Sequence, residues 1–268
     1  MKATILWELK QRRTAILWWT LGSALLACLI LALYPSIRNQ ADQLNQALNS
    51  LPDGIRQLKT GGTNSVNVAD PVAFLNANVF YSTLPIVWII LAITRGSAVL
   101  GRDEQNHTLE LLLARPISRT RLLFAKGLSL IAEFAVVSVA TVVLIALLAP
   151  AFKLHVGTGH LVVTALYTAA FSLSFGLIAF ALQAASSLTR RAASAVAVIV
   201  GFGGYLLTSL SGLTHWLENP AKLAPYHYFA PDKILRGEAV HGLDIYLVGI
   251  FIVTAVISYV GFRRRDIS

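Results

Sequence analysis

The chain has 268 residues, is 56% hydrophobic and only 13% charged, yet carries a formal charge of +9. Soluble domains are about 25% charged, which argues against a soluble enzyme, and nucleic-acid binders display their bases on a polar surface. The composition points to a lipid bilayer as the surroundings and to no nucleic-acid partner.

In chain order, residues 1–13 form a short amphipathic helix. Ile5, Leu6 and Leu9 share one face, and Trp7, Trp18 and Trp19 are interfacial anchors. The plain alternative is the flank of a signal anchor. Six charge-poor stretches follow at 14–34, 78–100, 127–149, 161–189, 192–213 and 245–262. Each is close to the roughly 20 apolar residues that cross a bilayer as a helix. The first exceeds the about 7–15 residues of a signal-peptide core and reads as an uncleaved anchor. The expected fold is an all-α polytopic membrane protein, a single transmembrane domain over residues 1–268.

The external segment 35–77 carries an apolar stripe, Ile37, Ala41, Leu44, Leu48, Leu51, Ile55 and Leu58, at helical spacing. Pro52-Asp53-Gly54 interrupts it. It reads as a cap on the outer ends of the spans, with a solvated loop as the alternative. Asp70-Pro71 is an N-cap followed by a first helical residue, so the second helix is expected to begin outside the bilayer. Before the sixth span, Pro220, Pro225 and Pro231 break residues 214–244 into short helices. Pro225, Tyr226, Tyr228 and Phe229 are the outer gate candidates there.

Lys and Arg counts orient the spans. Residues 1–13, 101–126, 190–191 and 263–268 lie on one side and hold 14 bases against five acids. The other side nets zero, and Arg95 and Glu133 cancel inside the membrane. Both termini are therefore expected in the cytosol. Arg95 lies six residues before Gly101, roughly 9 Å deep at 1.5 Å per residue, and Glu133 is at comparable depth. They either face each other or sit separately at helix interfaces. Gly201, Phe202, Gly203, Gly204, Ser194, Ser209 and Gly212 suit close helix approach, as a subunit interface or as internal packing. Cys28 is alone, and the outer histidines show no tight ligand spacing, so no metal site is expected.

Residues 101–126 carry the most information. Leu109, Leu112 and Leu113 form a helical face flanked by Glu110 and Arg115, Pro116 ends the helix, and Ser118 or Thr120 can cap the third span. Such a helix between two spans is a lever for a cytosolic partner, or else a connector lying on the membrane. The residues Glu104, Thr108, Leu109, Glu110, Leu112, Leu113, Pro116, Ser118, Arg119 and Lys126 resemble the loop between spans two and three of type-2 ABC exporter permeases. His107 departs from that pattern, where the family usually has Gly. Glu8, Leu9, Lys10 and Arg13 resemble the family's interfacial helix.

The resemblance implies a permease dimer, from two copies or a related chain, in the plasma (inner) membrane. It implies docking on a cytosolic ABC ATPase subunit through a coupling helix at about 103–115, with Asp103, Glu104, Arg115 and Arg119 among its residues. ATP and Mg would be bound by that ATPase, with no cofactor on this chain. The chain lacks the Gly-x4-Gly-Lys-Ser/Thr phosphate loop. The substrate expectation is an amphiphilic peptide or drug. The alternative is a proton- or ion-coupled secondary transporter using Glu133 and Arg95.

Overall fold

The computed structural model describes residues 2–51, 55, 67–106, 118–152, 154, 156–186, 188–211 and 215–265. Among them there is no strand, and six helices are long and apolar enough to cross a membrane. The fold is all-α and polytopic.

Helix α1 (Lys2–Gln11) exposes Leu6 and Trp7 and packs on the third span. The chain bends at Arg12 into the first span, α2 (Arg13–Asn39). Only Ser23, Ala27, Leu31 and Tyr34 are buried there, one narrow stripe facing the rest of the fold. The helix runs through Pro35 to Asn39, five residues beyond the apolar stretch. Composition places the boundary where polarity rises, whereas the backbone continues as long as its carbonyls find donors. Helix α3 (Ala41–Asn49) follows, and its Asn45 Oδ1 accepts from the Val68 N–H at 3.0 Å.

The second span is a single 35-residue helical run, Pro71–Gln105, and the most buried of the six. It starts as expected: the Asp70 carboxylate accepts from the Val72 N–H at 3.1 Å, with Pro71 in the first turn. Helix α4 (Pro71–Leu75) passes into a π-helical stretch at Asn76–Thr83 and then α5 (Leu84–Gln105). Ser82 Oγ and Thr83 Oγ1 reach back five residues, to the carbonyls of Ala77 and Asn78 at 2.8 and 2.7 Å. These bonds suit the wider turn.

The third span is α6 (Arg119–Leu148), capped by Ser118, whose Oγ accepts from the Arg121 N–H at 3.3 Å. Arg119, Arg121 and Lys126 thus lie in the span's first turns, not in a connecting loop. The fourth span, α7 (Thr158–Ala185), ends four residues short of the expected 189. Ser186 is extended, and Thr189 caps the fifth span, α8 (Arg190–Leu210), through the Ala192 N–H. No charge marks this turn, so hydropathy reads through it. Helices α9 (His215–Ala221) and α10 (Pro231–Leu235) are the broken pieces before the sixth span, α11 (His241–Arg264).

The second and fourth spans are the axis of the fold. They cross at Gly96 and Gly176, where a Cβ on Gly96 would stand 2.0 Å from the Gly176 carbonyl oxygen. Only paired glycines allow backbones this close. Gly201 and Gly204, candidates for a subunit interface, instead pack inward, on Phe175 and Pro225 respectively. Ser194 likewise turns inward and donates to Ser97 at 2.8 Å. Phe202 and Gly203 face outward, and Gly212 lies outside the described residues.

Candidate functional site

Three groups of charges lie at the end of the bundle that holds the described part of both termini. The deepest joins Arg95 and Glu133, which are 4% and 2% exposed. The Arg95 Nε donates to Glu133 Oε2 at 2.6 Å, and its terminal nitrogen lies 2.5 Å from the same oxygen. Arg12, at the bend between α1 and α2, places its Nε 3.7 Å from Oε1. An isolated charge at this depth is costly; pairing plus hydrogen bonding offsets the desolvation.

One layer nearer the end, buried Lys126 sits between two carboxylates. Its Nζ contacts Glu8 on α1 and lies 2.7 Å from Asp103 Oδ2. Ser129 donates to the other Glu8 oxygen at 3.2 Å. The third group ties down the C-terminal tail. Glu104 accepts from Arg265 and from Gln183 Nε2, both at 2.7 Å, and Arg265 also donates to the Gln183 carbonyl at 3.0 Å. Arg119 donates to the Arg265 carbonyl at 3.0 Å.

These contacts gather the two helix ends that flank residues 107–117. Asp103 and Glu104 close the second span and Arg119 opens the third; Asp103 is tied to Lys126 in the third span, and Glu104 and Arg119 both hold Arg265 of the C-terminal tail. Thr108, Leu109, Glu110, Leu112, Leu113, Arg115 and Pro116 lie outside the described residues. The partnerships of Glu8, Arg12, Lys126 and Arg265 escaped sequence reasoning. Their separations are 118 residues for Glu8–Lys126 and 161 for Glu104–Arg265, and no periodicity links such distant positions.

At the opposite end, Tyr226 and Phe229 are buried in an aromatic cluster. Phe229 stacks on Phe171 with centroids 4.2 Å apart and planes 4° from parallel. Tyr226 meets Phe171 edge-on at 4.9 Å and also touches Tyr81 and Tyr205. Burial pushes the Tyr226 hydroxyl well above the ordinary tyrosine range, so it stays neutral. Tyr228 is more exposed; it stacks on Tyr246, and its hydroxyl donates to the Lys222 carbonyl at 3.0 Å. Pro225 fills the space left by Gly204. Asp232 is raised above its usual value by burial, with Lys233 and Arg236 opposing. Arg236 pairs with Asp70 at 2.6 Å, tying the broken segment to the start of the second span. Gly237, at φ +83°, makes the turn that follows, against His160. Among the described residues, no cluster of three His, Cys, Asp or Glu side chains could hold a metal ion.

The family model described as ABC-2 family transporter protein matches residues 3–267. The chain belongs to the ABC-2 transporter family. A comparison with curated proteins finds no match. An ABC-2 protein of this kind is the membrane permease subunit of an ABC transporter, and ATP hydrolysis belongs to another subunit.

Proposed function

We propose that this ABC-2 permease is the membrane half of an ATP-driven exporter. It works as a dimer, with a second copy or a related chain, and couples to a separate cytosolic ATPase that binds ATP and Mg. The charged end of the bundle lies in the cytosol with both termini, in the plasma (inner) membrane. Residues 103–115 form the helix that docks on the ATPase.

The observation that carries this reading is the clamping of both ends of the 107–117 segment. Asp103 and Lys126 pair across spans two and three, Glu8 brings in α1, and Glu104 brings in span four and the C-terminal tail. A push on the segment would reach five elements at once: α1, spans two, three and four, and the C-terminal tail. The Arg95–Glu133 pair below locks spans two and three together, so they move as one body. Under this reading the pair is structural and carries no proton. The aromatic cluster around Tyr226 and Phe229 seals the outer end within each copy, with Pro225 and Tyr228 at its rim, and opening the gate requires its rings to separate. An amphiphilic peptide or drug is the substrate class we favour.

Purification of the tagged full chain together with the ATPase encoded beside it tests the reading. The ATPase should co-purify with the wild type and be lost from Leu112→Arg, with the variant's expression and thermal unfolding unchanged. Absence of any associated ATPase from the folded wild type would sink it.

A further inference from the structure

An open groove of about 590 Å³ lies between the end of the second span and the start of the fifth, lined by Gln105, Arg190, Arg191, Ser194, Ala195 and Val198. Two features fix its walls. Gly101 has no side chain, and a Cβ there would already stand 3.0 Å from the Arg190 Cβ. Below it, Ser194 is held to Ser97. Arg102, exposed on the next residue, adds a third guanidinium, and it repels Arg190.

The three arginines, of which Arg102 and Arg191 are exposed, differ from the paired bases at this end. Arg95, Lys126 and Arg265 each have a carboxylate. Among the described residues, Arg102, Arg190 and Arg191 form no ion pair. Asp103 and Glu104, the nearest acids in sequence, are engaged by Lys126 and Arg265. Clustered guanidiniums with no ion-pair partner among the described residues suit a phosphate, which they can bind in bidentate fashion.

The groove also continues in one direction. Arg191, Ala195, Val198 and Phe202 follow one another at helical spacing on one face of the fifth span. Val198 and Phe202 are 47% and 54% exposed, and small Ala195 leaves the surface shallow between them and the arginines. Eleven residues separate Arg191 from Phe202, roughly 16 Å along the helix. That is a charged head position leading into an apolar track within the bilayer. A soluble anion has no use for the track, and a water-soluble protein cannot reach it.

We propose that this groove binds an anionic phospholipid, with its phosphate on Arg102, Arg190 and Arg191 and an acyl chain along Ala195, Val198 and Phe202. The lipid belongs to the leaflet beside the chain termini. The site stands whether or not an ATPase docks on residues 103–115.

The test is native mass spectrometry of the full chain in detergent, titrated with phosphatidylglycerol or phosphatidylcholine of matched acyl chains. The wild type should retain phosphatidylglycerol preferentially. Each arginine near a charged lipid is worth about fivefold in binding, so R102Q/R190Q/R191Q should abolish the preference. R263Q/R264Q, at the same end but away from the groove, should keep it. Ala195→Trp fills the track without removing charge and should weaken retention even if the triple variant folds poorly. Equal phosphatidylglycerol retention by wild type and A195W would overturn the proposal. So would full competition by water-soluble glycerol phosphate, which would mean a site for free phosphate. Loss of ATPase co-purification from the triple variant, with lipid retention intact, would assign the arginines to protein docking and overturn it as well.

Discussion

Replacing Glu133 by Gln leaves the Arg95 guanidinium 4% exposed with its charge uncompensated. Breaking a buried pair by removing one partner costs about 3–5 kcal/mol. Arg12, 3.7 Å from Glu133 Oε1, adds a second cation to the same uncompensated site. Replacing both residues by apolar side chains of similar volume is commonly neutral or stabilising. Glu133→Leu and Arg95→Met should therefore each lower stability by about 3–5 kcal/mol, while the double variant should fall short of their sum. The interaction energy should reach about 2–3 kcal/mol, the upper range for residues in direct contact. Equilibrium unfolding of the purified chain in mixed micelles measures all four corners of the cycle. Effects that simply add would refute the idea that the pair locks spans two and three together.

Three further outcomes follow from the same geometry. Gly96→Ala and Gly176→Ala should each strongly lower the unfolding temperature, because the added Cβ meets backbone at 2.0 and 2.7 Å; Gly203→Ala, with nothing within 4 Å, should be close to neutral. Lys126→Met should leave Glu8 and Asp103 as facing carboxylates. It should cost about 3–5 kcal/mol and reduce substrate-stimulated ATPase activity of the complex, with Glu8→Gln in the same background restoring part of the stability. Asp232 has its folded pKa raised above 3.8 by burial, so the native state holds its proton more tightly than the unfolded chain. Stability should fall as pH rises from 3.8 through that raised value, and Asp232→Asn should flatten this part of the pH–stability profile.

Much of the layout was legible because the bilayer imposes it. Apolar runs of fixed length located six helices, and the Asp70-Pro71 signal marked where the second begins. What polarity cannot see is where a helix ends inside an apolar stretch. The turn at Ser186–Thr189 rests on a serine and a threonine side chain, and the extension of the first span through Pro35 on continuing backbone bonds. The depth of Arg95 and Glu133 came from counting residues along each helix, which placed them at one level. Their facing each other depends on helix rotation, set by the Gly96–Gly176 crossing of spans two and four. The glycines of the fifth span carried two open meanings, and only their neighbours, Phe175 and Pro225, chose internal packing.

The central claim is that residues 103–115 dock on a cytosolic ATPase. Leu112→Cys in a Cys28→Ser background leaves one thiol in the chain, and it tests the claim most directly when a thiol crosslinker is added to membranes holding both subunits. A one-to-one adduct between permease and ATPase, with the introduced thiol protected from an impermeant thiol reagent applied outside intact cells, is the predicted result. Labelling from outside, or no adduct from a folded and co-expressed pair, would contradict it.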